Sequence, residues 1–134
     1  MKVTKQYRTE TAHRLLNHPS LCKYIHGHSY LWEITVEGIA NPDGMVIDFK
    51  NLKQNIEQIL KPFDHAIVLH KADPIIEQMK HITERLIVFP SNPTAENFAS
   101  YVAITLINSF KLDVSKVRCW ETVNSYADWN VHNA

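Results

Sequence analysis

The sequence predicts an α+β fold built on an antiparallel sheet. Three observations carry that reading. Alternating patterns of the strand type stand near both ends of the chain, two segments of helical spacing lie between them, and the order is strands, helix, short elements, helix, strand.

Each element has a local reason. From Val3 to His13, alternate residues Val3, Lys5, Tyr7, Thr9, Thr11 and His13 share one side, which suits a strand. Leu15 to Lys23 contains Pro19 and small polar residues and reads as a loop. His28 to Glu37 is the clearest strand, with Tyr30, Trp32, Ile34 and Val36 on one face. Asn41-Pro42-Asp43-Gly44 is a turn, because proline fixes φ and glycine tolerates positive φ. The first two strands then pair antiparallel, and a third element follows at Met45 to Phe49. Phe49, Leu52, Ile56, Ile59 and Leu60 have helical spacing, and Pro62 ends that helix. Asp73-Pro74 opens a short helix, with Asp73 as cap and Pro74 at its first position. Leu86 to Phe89 is a short strand. Asn92-Pro93-Thr94 opens a longer helix with Phe98, Tyr101, Val102, Thr105 and Leu106 on its buried stripe. Val114 to Thr122 returns to alternation, with Val117, Cys119 and Glu121 on one face.

The chain has 134 residues, so a single domain spanning 1–134 is expected. Lys plus Arg equals Asp plus Glu, 14 against 14, so no global field draws nucleic acid or anionic lipid. A local basic pocket for a phosphorylated small molecule is compatible with that balance. The first ten residues lack the apolar core of a signal peptide, and no apolar run is long enough to span a bilayer, so a cytoplasmic protein is expected. Cys22 and Cys119 then read as free thiols.

The informative feature is the placement of the histidines. In an extended chain His26 and His28 point to the same face, and His13 has the parity to meet them from the neighbouring strand. Three neutral imidazoles suit Zn²⁺ and leave a fourth position for water or substrate. A His-x-His pair alone has many structural uses. Here the pair shares parity with Tyr30, Trp32 and Ile34, so it lies on a face expected to be buried, where imidazoles need partners. Cys22 adds a thiol four residues upstream of His26.

Further motifs run in a recognisable order. They are Thr11-Ala12-His13-Arg14-Leu15, Cys22-x3-His26-Gly27-His28, Met45-Val46-Ile47-Asp48-Phe49, Asp64-His65, Pro93-Thr94-Ala95-Glu96-Asn97 and Glu121-Thr122. This series resembles the family of 6-pyruvoyltetrahydropterin and 6-carboxytetrahydropterin synthases over nearly the whole chain. The resemblance implies a T-fold, an antiparallel sheet with helices on one face, whose subunits join through their sheets into barrels as trimers or hexamers. It also implies bound zinc and a pterin triphosphate substrate. Three residues between Cys22 and His26, and Ser29 after the motif, are similar to the bacterial carboxy branch that serves queuosine and other deazapurine synthesis. The pyruvoyl branch generally has a longer gap. The folate-linked branch has a glutamate in the cysteine's role, and Cys22 argues against it. Thr9 departs from the family's usual aromatic residue, and Asn124 to Ala134 matches no family pattern.

The resemblance implies a role for each site residue. Cys22 is the proton-transfer group; without the resemblance it is a loop cysteine with no assigned role. Asp64 and His65 resemble the rest of a Cys-Asp-His relay that closes across a subunit boundary. Adjacent residues on a straight strand point apart, so contact between these two requires a bend. Otherwise the pair is an exposed polar dipeptide. Glu121 accepts the paired N–H donors of a pterin edge in bidentate fashion; the bland alternative is a solvated glutamate at a strand end. Thr94 has a capping role in its own right and, by resemblance, a place in the pterin pocket. Asp48 supports a turn or strand end. His18, His70, His81 and His132 read as surface residues, Cys119 as a core residue, and Arg14, Lys23 and Arg85 as candidate cations for the triphosphate. The expected activity is a zinc-dependent carbon–oxygen lyase making 6-carboxy-5,6,7,8-tetrahydropterin with release of acetaldehyde and triphosphate. The alternatives are the pyruvoyl product and a non-catalytic zinc or pterin-binding protein.

Overall fold

In the computed structural model, which describes residues 1–133, six strands form one sheet. They are β1 (Lys2–His13), β2 (His26–Glu37), β3 (Ala66–His70), β4 (Leu86–Phe89), β5 (Val114–Thr122) and β6 (Ser125–Asn130). The helices are α1 (Phe49–Leu60), α2 (Ile76–Met79) and α3 (Ala95–Phe110). The strand order is β4-β3-β1-β2-β5-β6.

β1 and β2 pair antiparallel from Lys2 opposite Glu37 to His13 opposite His26. β5 joins β2, and β6 joins β5, both antiparallel. The expected antiparallel sheet is therefore present in these four strands. β3 pairs parallel with β1, and β4 parallel with β3, so the whole sheet is mixed. The α1 connection carries the chain from β2 past β1 to its far edge, where β3 runs opposite to β2 and therefore parallel to β1.

α1 and α3 cover one face of the sheet. Leu52, Ile56, Ile59 and Leu60 of α1 are buried, as are Phe98, Ala99, Val102 and Leu106 of α3. They pack on Tyr30, Trp32, Ile34, Val117 and Cys119. Phe98 is the hub: its ring lies 5.3–5.9 Å from those of Tyr30, Trp32, Phe63 and Phe89. Two members of the expected stripes sit elsewhere. Phe49 and Tyr101 are 51% and 38% exposed, because each lies at the rim of its helix's buried arc. The short α2 packs on the opposite face of the sheet, over Ile67 and Leu69, so only the two long helices share a face.

Thr9 has a local explanation. It is buried and accepts the indole N–H of Trp32 at 3.0 Å, while its hydroxyl meets that of Thr11 at 2.9 Å. Thr11 in turn donates to the Phe63 carbonyl. An aromatic residue at position 9 would leave the Trp32 N–H without this partner.

Several elements differ from expectation. Met45 to Asp48 is not a strand. Asn41 accepts from the backbone N–H groups of Asp43 and Met45, which folds the segment into a turn, and Gly44 adopts φ 85°. Asp48 then caps α1 by accepting from Lys50 N–H at 2.8 Å. α2 begins at Ile76 rather than Pro74, since Asp73 accepts from Ile75 N–H in a turn of its own. β3 and β6 have no expectation matching them: β3 is nearly all apolar and too short to show a period, and β6 has no buried residue. Among the described residues, no helix is long and apolar enough to cross a membrane.

Candidate metal and pterin site

The histidines meet because of strand register. His13 ends β1 directly opposite His26, and His28 stands two residues further along β2 on the same face. Their ligand atoms all lie within 4.8 Å of one another, and the ring centroids are 4.6, 5.3 and 4.9 Å apart.

The hydrogen bonds around the rings fix which nitrogens are free to bind a metal. His13 Nδ1 lies 2.6 Å from the Pro93 carbonyl, and His26 Nδ1 lies 2.7 Å from the Tyr24 carbonyl. A carbonyl oxygen only accepts, so both Nδ1 atoms carry their protons. The Nε2 atoms of the neutral rings are then unprotonated, yet they face each other at 3.2 Å, with the Tyr30 hydroxyl 3.4 Å from His13 Nε2. That distance is close to the ~3.3 Å edge expected when two nitrogens bind one tetrahedral metal at about 2.05 Å. The Nε2 of His28 is buried without a hydrogen-bond partner. Bare nitrogens converging on one point, each with Nδ1 held by a carbonyl where the bond is seen, fit a zinc site with three protein ligands. Cys22 is outside the ligand cluster.

Electrostatics agree with metal ligation. The His13 pKa is pushed down to about 4, chiefly by burial, with the other two histidines adding to the shift and the Pro93 carbonyl opposing it. Burial also lowers His28, against the pull of the Glu121 carboxylate. Both imidazoles are thus neutral near pH 7 and ready to bind metal. A histidine whose folded pKa lies below its unfolded value of about 6.5 stabilises the fold fully above that value. The stabilisation is lost as pH falls through the folded pKa. The metal-free protein should therefore show a melting temperature that declines from pH 6.5 toward pH 4. A flat profile across that window would contradict neutral burial of these rings.

The other site residues lie around this cluster. Cys22 sits half-buried in a 3-10 turn, Leu21–Lys23, and its carbonyl accepts from Leu15 N–H, which folds the loop back onto the end of β1. Tyr30 packs edge-on beneath His13 and His28. Glu121 comes from β5, 3.8 Å from His28 Nε2. Glu121 and Thr94 line one cavity of about 290 Å³, together with Glu96, Ser125 and Tyr126. Thr94 also caps α3 by accepting from Asn97 N–H.

The bend at Asp64-His65 is present. His65 adopts φ 60°, which turns its ring back so that Nδ1 lies 3.0 Å from the Asp64 carboxylate. Glu10 fixes the bend from both sides, since its N–H donates to Asp64 Oδ1 and its carbonyl accepts from His65 N–H. Those bonds hold a backbone conformation that costs a non-glycine residue about 1 kcal/mol. The Glu10 N–H is also the main reason that the Asp64 pKa is lowered. The His65 side chain is 76% exposed, and no hydrogen bond or ion pair among the described residues joins it to Cys22 or the histidine cluster. One chain thus places the three histidines, Cys22, Thr94 and Glu121 around one region, while Asp64-His65 makes no hydrogen bond to them, although His65 and His28 line one cavity of about 530 Å³.

Among the candidate phosphate cations, Arg14 is already committed. Its guanidinium makes a bidentate pair with the buried Asp73 carboxylate. Lys23 lies over the Tyr24 ring, and Arg85 donates to the Asp64 carbonyl beside His65. His18 and His70 accept backbone N–H groups in local turns, and His81 and His132 are exposed. Cys119 is buried in the core. Backbone carbonyls such as those of Pro93 and Tyr24 leave no mark in a sequence, so their part in the site was not readable there.

The family model for 6-pyruvoyl tetrahydropterin synthase matches residues 2–131. The chain belongs to that family. It is 33% identical to the 6-carboxy-5,6,7,8-tetrahydropterin synthase of Rickettsia bellii, over 96% of this chain and 99% of that one. It is 30% identical to the protein of the same name from Haemophilus influenzae, over 96% and 97%. The fold is similar to that of an uncharacterised protein of Wolinella succinogenes, with TM-score 0.83 and 22% identity over 98% of each chain. It is also similar to Caenorhabditis elegans 6-pyruvoyl tetrahydropterin synthase, with TM-score 0.71 and 24% identity over 97% and 94%. The T-fold expected from the sequence is therefore the fold of this chain.

Proposed function

We propose that this chain is a zinc-dependent 6-carboxy-5,6,7,8-tetrahydropterin synthase, a carbon–oxygen lyase acting on 7,8-dihydroneopterin triphosphate. The observation that carries the metal half is the pair of bare Nε2 atoms of His13 and His26 facing each other at 3.2 Å, beside the unpartnered His28 Nε2. The names of the two bacterial relatives support the substrate half.

Zinc held by His13, His26 and His28 would supply Lewis-acid polarisation of the substrate's side-chain hydroxyls. The chain's own residues do the rest. Glu121 lies within a few ångströms of the cluster and accepts two N–H donors of the pterin edge, which orients the ring with its side chain toward the histidines. Thr94 lines the same cavity and holds the ring's other side. Cys22, as thiolate, takes a proton from a side-chain carbon, and His65 returns protons, with Asp64 fixing its ring. Because His65 is exposed in the single chain, the relay closes when a second subunit brings its Asp64-His65 pair to this site. A homo-oligomer joined through the free edges β4 and β6 supplies that arrangement, as a trimer or hexamer. A cytoplasmic place in queuosine synthesis is part of this reading.

Incubation of the purified protein with 7,8-dihydroneopterin triphosphate, with and without a chelator, tests it by mass spectrometry. The expected products are 6-carboxytetrahydropterin, acetaldehyde and triphosphate, lost when zinc is stripped and regained when it is restored. Turnover without acetaldehyde would give the pyruvoyl product instead. Zinc and pterin binding with no turnover would make the chain a non-catalytic binding protein.

A further inference from the structure

The segment carrying the Pro93 carbonyl that receives His13 Nδ1–H is itself held by side-chain amides. Asn92 and Asn97 each donate or accept through a side-chain amide, and between them they tie both partners of that hydrogen bond. From the first turn of α3, the Asn97 amide N–H donates to the Asn92 carbonyl at 2.9 Å. The same carbonyl accepts from Thr94 N–H at 2.8 Å, so the Asn92-Pro93-Thr94 segment is closed into a tight turn. The Asn92 side-chain carbonyl reaches the other way and accepts from Leu16 N–H at 2.9 Å, three residues beyond His13. The peptide carrying the Pro93 carbonyl and the backbone carrying His13 are thereby fixed to one another.

We infer that Asn92 and Asn97 are positioning residues of the metal site, acting on His13 through the Pro93 carbonyl. Proline has no N–H to hold its own peptide in place. The segment comes from a different part of the chain, eighty residues from His13. Without the clamp, the His13 contact itself is the one hydrogen bond among the described residues that ties this carbonyl to the end of β1. The carbonyl in turn selects the His13 form with its proton on Nδ1 and its lone pair on Nε2, aimed at the other two imidazoles. The two amides differ in what they must supply. Asn97 acts as a donor, so aspartate at that position cannot replace it. Asn92 acts as an acceptor through its side chain, so aspartate there can.

This inference rests on the zinc reading above. The test compares Asn92→Ala, Asn92→Asp, Asn97→Ala and Asn97→Asp with the unchanged protein and with Asn41→Ala, which removes a similar side-chain bond from a distant turn. Zinc affinity is measured by competition with a chromophoric chelator, and the His13 imidazole ¹⁵N shifts are read in the metal-free protein. Asn92→Ala and both Asn97 variants are expected to weaken zinc binding by about 10- to 100-fold, the usual effect of losing a partner behind a metal ligand. Their His13 ¹⁵N shifts should move toward a mixture of tautomers. Asn92→Asp and Asn41→Ala should bind zinc as the unchanged protein does. Affinities within twofold for all variants would overturn the inference. So would equal losses in Asn92→Asp and Asn92→Ala, which indicate a general structural role. If an Asn97 variant does not fold, the Asn92 pair alone decides. If the unchanged protein binds no zinc, the metal reading itself fails, and the ¹⁵N shifts still report whether the clamp sets the tautomer.

Discussion

Replacing Cys22 by alanine is expected to lower turnover by about 10²- to 10⁴-fold while zinc stays bound. The separation of the two effects follows from geometry. His13, His26 and His28 make the ligand cluster, and Cys22 is outside it. Its turn is anchored by backbone bonds, Leu15 N–H to the Cys22 carbonyl and Tyr24 N–H to the Leu21 carbonyl, which alanine keeps. The same turn leads to the Tyr24 carbonyl that holds His26 Nδ1, so the histidine cluster keeps its orientation in the variant. What disappears is the thiol, the group to which the proposed reaction gives the proton transfer. Cys22→Ser should be nearly as slow, because a hydroxyl of much higher pKa makes a poor base. Steady-state kinetics and metal analysis on the same preparation check this. Loss of zinc from Cys22→Ala would instead make the sulfur a fourth ligand, and unchanged turnover would remove Cys22 from the reaction.

How much of this was legible in the sequence depends on whether a feature is periodic. The pairing of His13 with His26 and His28 was readable, because strand parity places side chains on faces and β1 and β2 are long enough to show it. The helix limits Phe49–Leu60 follow equally directly from the apolar spacing and Pro62. β3 was not readable: five nearly all-buried residues show no alternation. β6 was missed for the opposite reason, since none of its residues is buried and its place is set by pairing with β5. The bend at His65 could not be foreseen, because two long-range backbone bonds to Glu10 enforce it. Arg14 shows the limit most plainly. As a basic residue beside a metal ligand it was a reasonable phosphate cation, but its partner Asp73 is fifty-nine residues away and only the fold brings them together.

That pair sets the second large expected effect. Arg14→Ala should destabilise the protein by about 3 kcal/mol, near the lower end for breaking a buried ion pair. The lower end applies because Arg14 keeps 22% of its side chain in water, whereas the Asp73 side chain is fully covered. Burial alone pushes the Asp73 carboxyl up. The Arg14 guanidinium and the Ile75 N–H more than offset that, so its pKa lies below the ordinary value. A carboxyl with a depressed folded pKa contributes stability above its unfolded pKa and loses it as pH falls through the folded pKa. Without Arg14 the balance reverses: burial dominates, the folded pKa rises, and the variant regains relative stability on acidification as Asp73 takes up a proton. The gap between Arg14→Ala and the unchanged protein should therefore narrow between pH 7 and pH 5. Asp73→Asn should cost less than Arg14→Ala, because the amide oxygen still accepts from Ile75 N–H and the freed guanidinium reaches solvent. Arg14→Lys should recover only part of the loss, since an ammonium cannot reproduce the two-pronged contact. Urea unfolding at both pH values measures all three. A loss below about 1 kcal/mol for Arg14→Ala would place the pair among ordinary surface bridges. A loss as large for Asp73→Asn would mean that packing, and not the buried charge, sets the cost.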